Sequence, residues 1–359
     1  MRNHLVVAGA GIWGCTVARR LAEAGRHVVV LEKRPFVGGN CACEIDLETG
    51  IEIHLYGSHI FHTHNVRVWD FMNRFTSFNS YQHKVLARYG GKTFFLPLGL
   101  ALINKFFGVD LTPGQVPTFM ADKQRSAALF DAFFRGYTAK QWGRPAESLA
   151  PSVLKRIPVR SNYDINYFND VWQGIPTEGY TRLFERMLDH PNIEVRTSAL
   201  YELNDEETVF YSGPIDALFD YKFGALPWRT LRFELETLPV ADFQGTSVVN
   251  YPELTVPYTR IHEFKHYHPE GRLNGTWGAD AKKTIVAKEY PDEWKRGDEP
   301  YYPIADVASS ELASRYQAEA CLYPGLIVGG RLGLYRYLDM DQAVHAALEA
   351  VDLFLEGSR

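Results

Sequence analysis

The sequence is poor in several features that would place it in well-known structural classes. Its 359 residues include only four cysteines, Cys15, Cys41, Cys43 and Cys321, and no C-x-x-C pair. This spacing supports neither a zinc cage nor a disulfide framework, so we expect free thiols. Basic residues are not in excess, because 38 Lys and Arg stand against 43 Asp and Glu. The formal net charge of -5 argues against nucleic acid as a partner.

Long apolar runs are also missing. No window reaches about 18 uninterrupted apolar residues, and the first residues carry no apolar signal segment. We therefore expect a cytoplasmic protein without a membrane partner. Because 46% of the residues are hydrophobic, the chain can bury a large core, divided between two or three domains.

The most informative stretch is an apolar run, 5–8, followed by glycines in the spacing G-x-G-x-x-G. A strand that enters a helix through such a turn leaves the first helical N–H groups free, and their partial positive charge holds a pyrophosphate. A second apolar strand, 27–31, ends in Glu32, which is placed to accept hydrogen bonds from a ribose. The pattern predicts a dinucleotide site.

The residues after the second strand favour FAD over NAD. A glycine pair, Gly38 and Gly39, lets the chain pass close to a bulky, deeply held cofactor, as in flavin oxidases and reductases. Near the other end, an apolar strand is followed by Gly329, Gly330 and a helix over 342–355. This is a second place where main-chain N–H groups can meet a cofactor, so both ends are expected to build one FAD domain.

Two unusual features receive structural interpretations. Trp13, a large ring in the glycine turn, is expected to pack on the sheet. Four histidines, His54, His59, His62 and His64, lie within eleven residues and suggest a metal site. However, nearby acidic residues do not repeat at ligand spacing, and alternation along a strand sends neighbouring side chains to opposite faces. We expect no metal, and one or two of these histidines to reach another ligand.

The middle of the chain predicts helices and strands. Helical periodicity covers 98–107 and 124–134, and a glycine pair sets the turn of a hairpin over 84–96. Antiparallel strands are expected over 229–235, 247–251 and 258–264. We predict an α/β fold with a discontinuous Rossmann-like FAD-binding domain, an antiparallel β-sheet module and an inserted helical module. The expected ranges are 1–78, 186–225 and 306–359 for the FAD domain, 79–97, 160–185 and 226–305 for the sheet, and 98–159 for the helices.

Two stretches in the predicted helical module have residues that suit either ligand binding or a purely structural role. Aromatic rings alternate with Arg, Thr, Lys and Gln over 133–142, which indicates either a ligand-binding surface or a helix end packed on its neighbours. Lys155, Arg156 and Arg160 lie beside a predicted loop at 145–151. Cations in this position can close over phosphates or remain ordinary surface charge.

Six blocks in one order resemble the UDP-galactopyranose mutase family, bacterial flavoenzymes that interconvert the pyranose and furanose forms of UDP-galactose. The likeness extends over nearly the whole chain, and its most specific blocks are 56–63, 133–142, 154–169, 257–260, 301–303 and 330–341. The resemblance implies attack of reduced-flavin N5 on the anomeric carbon, with no net redox change and with NAD(P)H or dithionite as reductant. It also implies a UDP-sugar substrate and a homodimer.

The resemblance assigns roles to individual residues. Catalytic roles fall to Arg156, on a loop that closes over substrate, to Arg260, and to His59 and Arg331 near the flavin. The residues with substrate-binding roles are Phe133, Tyr137, Thr138, Trp142, Tyr167, Arg229, Tyr302 and Tyr337. The residues with cofactor-binding roles are Gly9, Gly11, Ile12, Trp13, Gly14, Glu32, Lys33, Gly39, Asn40, His59, His62, Gly330, Arg331, Leu338, Asp339 and Met340.

Two positions depart from the family pattern. Ser58 stands where proline is usual, and Gly99 stands where asparagine is common. Neither removes a phosphate ligand, but both leave UDP-N-acetylgalactosamine and dTDP-6-deoxyhexoses open as alternative substrates.

A flavin oxidoreductase of the amine-oxidase type and a non-catalytic UDP-sugar sensor are competing classes, because the fold alone does not separate them. The set of diphosphate-binding residues argues against an amine oxidase.

Overall fold

The computed structural model describes residues 5–145, 147, 159–204, 207–268, 282–304 and 306–357. One sheet is parallel and consists of β1 (Leu5–Ala8), β2 (Val28–Glu32), β9 (Ile193–Thr197), β10 (Val209–Tyr211) and β16 (Leu326–Val328). Its order is β16-β10-β1-β2-β9, so strands from three distant parts of the chain lie side by side. Every residue of β1 is buried, as expected where both faces of a parallel sheet are covered.

The second large sheet has seven strands. They are β6 (Val85–Tyr89), β7 (Lys92–Leu96), β11 (Trp228–Leu238), β12 (Val248–Asn250), β13 (Arg260–Glu263), β14 (Thr284–Glu293) and β15 (Tyr302–Pro303), in the order β15-β11-β14-β13-β12-β6-β7. The hairpin of β6 and β7 turns at Gly90 and Gly91, which confirms that prediction. The expectation of a purely antiparallel sheet was wrong at one place, because β6 and β12 run parallel. Their long connection imposes no hairpin geometry.

Two smaller ribbons complete the strands. β3 (Cys43–Ile45) pairs with β4 (Glu52–His54), and β5 (Phe61–Thr63) pairs with β8 (Trp172–Gly174). Short 3₁₀ turns that lie wholly within the described residues are Gly39–Cys41, Pro113–Gln115 and Phe264–Tyr267.

The helices connect and cover the sheets. Among the described residues they are α1 (Ile12–Glu23), α2 (Val66–Met72), α3 (Leu100–Phe107), α4 (Val116–Met120), α5 (Lys123–Phe130), α6 (Gly136–Trp142), α7 (Tyr180–Leu188), α8 (Ile215–Leu218), α9 (Val307–Ala320), α10 (Gly330–Gly333) and α11 (Met340–Gly357). The helix predicted over 124–134 ends at Phe130, and a π-helical turn, Asp131–Arg135, follows before α6. In the described part of the chain, no helix has both the length and the apolar character needed to cross a membrane.

The core joins both ends of the chain. α1 packs against α11, so the first and last long helices lie together beside the parallel sheet. A continuous cluster of buried side chains runs from Val7 and Leu21 through Phe94 to Val351. The glycine turn after β1 is therefore held on a rigid base.

Candidate active site

The turn between β1 and α1 matches the geometry that a dinucleotide needs. Gly9 has a φ of +104°, and a β-carbon there would lie 2.3 Å from the Ser212 hydroxyl oxygen. A β-carbon on Gly14 would lie 1.9 Å from the Gly9 carbonyl oxygen, so this glycine allows the helix to pack closely on the strand. No side chain caps α1 at Gly11. Its first N–H groups therefore remain available for a phosphate.

Glu32 ends β2 beside this turn. One carboxylate oxygen accepts the Ala10 N–H at 2.7 Å, and the other accepts the Arg34 N–H at 3.0 Å. Each oxygen retains a lone pair for a further donor, such as a ribose hydroxyl. Glu32 thus fixes the turn and can also bind a ribose.

The carboxyl-terminal segment closes the same cleft. Trp13 is buried beneath Gly329, where a β-carbon would lie 2.0 Å from an indole carbon, and it also lies against Phe210 of β10 at 6.3 Å between ring centroids. Trp13 therefore packs on the sheet while lining the cleft. Most residues to which the resemblance assigns cofactor-binding roles line this cleft. They are Gly9, Gly11, Ile12, Trp13, Glu32, Lys33, Gly39, Asn40, His59, Gly330, Arg331, Leu338, Asp339 and Met340. An uncapped helix, a ribose-facing carboxylate and a glycine cradle fit FAD.

A second, larger cleft opens between the seven-stranded sheet and the helical module. Its volume is about 590 Å³, and its walls carry many aromatic rings. Five residues line both clefts: Asn40, His59, Arg331, Asp339 and Met340. The two clefts therefore meet, and a cofactor in the first can face a ligand in the second.

His59 lies at this junction as a neutral imidazole. Burial, followed by the charges of His54 and Arg331, lowers the pKa of His59 to about 3. Its Nδ1 lies 2.7 Å from the Gly57 carbonyl oxygen. A carbonyl oxygen only accepts, so Nδ1 carries the proton and Nε2 keeps a free lone pair.

Arg331 is fixed at the same junction. Its guanidinium donates two hydrogen bonds to the Leu338 carbonyl oxygen, at 2.6 and 3.2 Å. It lies over the Tyr337 ring at 4.9 Å and the Tyr302 ring at 5.8 Å. Tyr302 and Tyr337 stack with their ring centroids 5.6 Å apart, and burial raises the pKa of Tyr302. The Tyr302 hydroxyl is therefore a neutral donor at physiological pH.

Arg260 provides a second cation in the cleft. Its Nε lies 3.2 Å from the Glu289 carboxylate, and its guanidinium contacts the Tyr137 hydroxyl. Burial opposes ionisation of Glu289, but Arg260, His262 and Thr259 lower its pKa to about 2. The buried carboxylate is ionised and keeps Arg260 charged and oriented.

Helix α6 and the π turn before it supply the aromatic wall. Tyr137, Thr138 and Trp142 line the cleft, and the Trp142 ring lies 6.3 Å from that of Tyr302. Phe133, in the π turn, is anchored edge-on against Phe94 at 5.1 Å. The aromatic stretch is therefore both packed on its neighbours and open to a ligand.

Comparison with known proteins identifies the family. A family model described as UDP-galactopyranose mutase matches residues 132–337, and one described as NAD(P)-binding Rossmann-like domain matches 7–75. A probable UDP-galactopyranose mutase of Klebsiella pneumoniae is 39% identical, over 98% of this chain and 95% of that protein. The chain belongs to the UDP-galactopyranose mutase family. It is therefore an isomerase with a flavin cofactor.

Two further similarities bear on the family. A dTDP-fucopyranose mutase of Escherichia coli is 37% identical, over 99% of this chain and 100% of that protein. The crystal structure of a reduced UDP-galactopyranose mutase superposes with a TM-score of 0.75 at 15% identity, covering 99% of this chain and 96% of that one. This structural likeness confirms the α/β fold class.

Most residues assigned from the UDP-galactopyranose mutase pattern are brought together. Arg260, Tyr167, Tyr302 and Tyr337 line the second cleft with the wall residues described above. Arg160, from the predicted group of three cations, also lines it. Lys155 and Arg156 lie outside the described residues, so their roles stay predictions.

Three assigned residues have other positions. Arg229 is not among the lining residues of the second cleft, because it lies behind α6 and donates to the Gln141 and Lys140 carbonyl oxygens at 2.9 and 3.3 Å. His62 lines the second cleft rather than the first, stacked on Phe168. Gly14 serves the helix–strand contact.

Sequence reasoning missed Glu289, the carboxylate that orients Arg260. It lies in β14, a strand not predicted, directly opposite Arg260 in the antiparallel register. Glu289 is only 3% exposed. The available signal was the apolar run 285–287, which predicts a strand, because Glu289 continues the same face as Ile285 and Ala287 by alternation. An unpaired carboxylate is rarely buried, so such a position indicates a cationic partner.

Proposed function

We propose that this protein interconverts UDP-galactopyranose and UDP-galactofuranose with FAD in its reduced form and with no net redox change. The observation that carries the proposal is the junction of the two clefts at His59 and Arg331. It joins the glycine-lined cofactor cleft to a cationic cleft lined with aromatic rings. When bound and reduced, FAD supplies the nucleophile, flavin N5, for the anomeric carbon.

The chain's own residues hold the nucleotide and its leaving group. Arg260 is held charged by Glu289 and binds the diphosphate through charge-assisted hydrogen bonds. The hydroxyls of Tyr302 and Tyr337 donate hydrogen bonds to the diphosphate beside it. As UDP leaves, negative charge develops on its phosphates, so these donors stabilise the transition state more than the bound substrate. Arg156 is proposed to provide the second cation of this group.

The aromatic wall positions the uracil and ribose. Tyr137 and Trp142 are proposed to contact the base, with Phe133 and Thr138 beside them and Tyr167 nearer the phosphates. Because the Tyr137 hydroxyl also contacts Arg260, uridine binding and diphosphate binding share one element. This arrangement orients the anomeric carbon toward the first cleft.

His59 provides a proton acceptor near the sugar. Its imidazole is neutral at physiological pH, and its Nε2 lone pair is free of the bond made by Nδ1. We propose that Nε2 accepts a hydrogen bond from a sugar hydroxyl as the ring opens and closes.

A turnover assay with reduced and oxidised protein tests the proposal. Purified holoprotein is incubated with UDP-galactopyranose with and without dithionite, and the furanose is measured by chromatography. Product from the reduced form alone is the expected result. Oxygen consumption with an amine would favour the oxidoreductase class. Tight UDP binding without turnover on any UDP-sugar or dTDP-sugar tested would favour a sensor.

A second candidate substrate has support from one comparison. The relative named dTDP-fucopyranose mutase is 37% identical, close to the 39% of the relative named probable UDP-galactopyranose mutase. Ser58 and Gly99 also depart from the usual pattern at positions in the histidine block and at the start of α3. Values of kcat/KM for UDP-galactose, UDP-N-acetylgalactosamine and dTDP-fucose, measured side by side, decide between these sugars.

The remaining assignments are the reductant, the assembly and the compartment. We propose NAD(P)H as the physiological reductant and a homodimer, because both follow from the family likeness. A cytoplasmic location is proposed from the sequence composition, which has no uninterrupted apolar run of about 18 residues. Anaerobic bleaching of the flavin band by NADH or NADPH tests the reductant. Light scattering coupled to gel filtration tests the dimer.

A further inference from the structure

Lys140, in α6, has its side-chain ammonium surrounded by main-chain carbonyl oxygens. The distances from Nζ are 2.5 Å to Tyr251, 2.8 Å to Tyr258, 2.9 Å to Val256 and 3.0 Å to Glu253. An ammonium has three N–H donors, so four acceptors occupy all of them. The lysine is therefore committed to the protein's own backbone rather than to a ligand.

These carbonyls belong to the connection between β12 and β13. This segment, 251–258, leads into Arg260, and its ends are tied by a hydrogen bond from the Tyr251 N–H to the Thr259 carbonyl oxygen at 2.8 Å. The lysine thus joins the helix that carries Tyr137 and Trp142 to the segment that positions Arg260.

An independent contact holds the same face of α6 to this segment. A β-carbon on Gly136 would lie 2.3 Å from the Pro252 carbonyl oxygen, so the helix backbone packs directly on the segment. Gly136 and Lys140 are four residues apart and therefore on one helix face. Close packing and the carbonyl cage act on the same interface.

The charge on Lys140 persists at neutral pH. Burial lowers its pKa to about 8, while Glu253 acts in the opposite direction. Protonation is what provides three donors for the cage, and at pH 7 most molecules carry it. A neutral side chain at position 140 would lack the charge and at least one of these donors.

We propose that Lys140 is a positioning residue, which holds the nucleotide-binding face of α6 in register with Arg260 by clamping the 251–258 segment. The proposal rests on the proposed function, because it assumes that this face binds the nucleotide. It requires no contact between Lys140 and substrate. Removal of the Lys140 side chain is therefore expected to weaken nucleotide binding more than it lowers kcat.

The main test is Lys140→Met in the FAD-loaded protein at pH 7. The KM for UDP-galactopyranose and the Kd for UDP, from quenching of tryptophan fluorescence, are expected to rise on the order of tenfold or more. The value of kcat should change less than about twofold, and FAD content should stay the same. Lys105→Met is the matched control, because Lys105 lies in the same module and donates to a single carbonyl, that of Thr93.

Two more variants keep the test decisive. Lys140→Gln retains two donors and should give values between those of the wild type and Lys140→Met, and it replaces that variant if the latter does not retain FAD. Gly136→Ala, which separates the same surfaces sterically, should also raise the Kd for UDP. An unchanged Kd in Lys140→Met and Lys140→Gln overturns the proposal, as does a fall in kcat with KM unchanged. If the wild type binds UDP but shows no turnover, the proposed mutase reaction fails while the Kd comparison still tests Lys140.

Discussion

Gly39 lies so close to Gly11 that a β-carbon on Gly39 would be 2.8 Å from the Gly11 α-carbon. Gly11 ends the phosphate-binding turn as the N-cap residue of α1. Gly39 belongs to the second glycine pair, which also bonds to the turn through the Gly38 N–H and the Ala10 carbonyl oxygen at 2.8 Å. The two segments thus touch through their backbones alone. This contact lets the walls of the FAD cleft meet without a side chain between them.

Gly39→Ala is therefore expected to purify with little or no flavin, because the new methyl group pushes against the turn. Gly39 also has a φ of +57°, which disfavours alanine by itself. Gly90→Ala separates the two effects, since Gly90 has a φ of +56° and open space around it. FAD content is measured as the ratio of the visible absorbance of the flavin to the ultraviolet absorbance of the protein. Equal flavin loss in both variants would refute the steric explanation.

Arg260→Ala is expected to lower kcat by a factor on the order of 10²–10³, because it removes a charged donor from the diphosphate as UDP leaves. Glu289→Gln should lower kcat less, since it frees the guanidinium without removing it. Arg156→Ala is expected from the family likeness to match Arg260→Ala. Steady-state turnover with reduced holoprotein measures all three.

Arg232→Met is the control for these arginine variants, because Arg232 is an exposed residue of β11 that bonds to Glu234. It should retain wild-type turnover. Near-normal kcat in Arg260→Ala would show that Arg260 has no catalytic role.

Arg229→Met should destabilise the protein by about 1–3 kcal/mol while leaving kcat largely intact, because two carbonyl oxygens at the end of α6 lose their donor. This expectation differs from that for a cleft arginine. Urea unfolding of Arg229→Met and Arg232→Met, on the same strand, gives the difference in stability. A large fall in kcat without loss of stability would show instead that Arg229 acts on the substrate.

Stability is expected to fall as the pH drops below about 6.5, the pKa of an unperturbed histidine. Burial lowers the pKa of His54 to about 4 and that of both His59 and His83 to about 3. As the pH falls from 6.5 toward 3, the unfolded chain binds protons that the folded chain does not, so unfolding is favoured.

The measurement is the melting temperature between pH 7 and pH 5.5, where Glu289, with an ordinary pKa of 4.5, stays largely ionised in both the folded and the unfolded chain. His83→Asn should reduce the slope of melting temperature against pH. His64→Asn is the control, because the His64 side chain is 79% exposed. A wild-type melting temperature that is constant over this range contradicts the prediction.

Local patterns determined much of the FAD domain. The glycine turn, Glu32 at the end of β2, and the glycines before α10 depend on a few neighbouring residues, because turn geometry and helix ends are set by short stretches of chain. The hairpin at Gly90 and Gly91 is predictable for the same reason.

The tertiary structure decided how distant segments form the cleft. Arg229 and Arg260 both lie in strands of one sheet. Only Arg260 of the two lines the cleft, because the Arg229 side chain is bonded to carbonyl oxygens of α6. The cage around Lys140 likewise joins a helix to a segment more than a hundred residues away. Sequence alone determined the cofactor turn and, through family likeness, the set of candidate residues. Long-range pairing determined which of them share a site, since such contacts depend on the whole fold rather than on spacing along the chain.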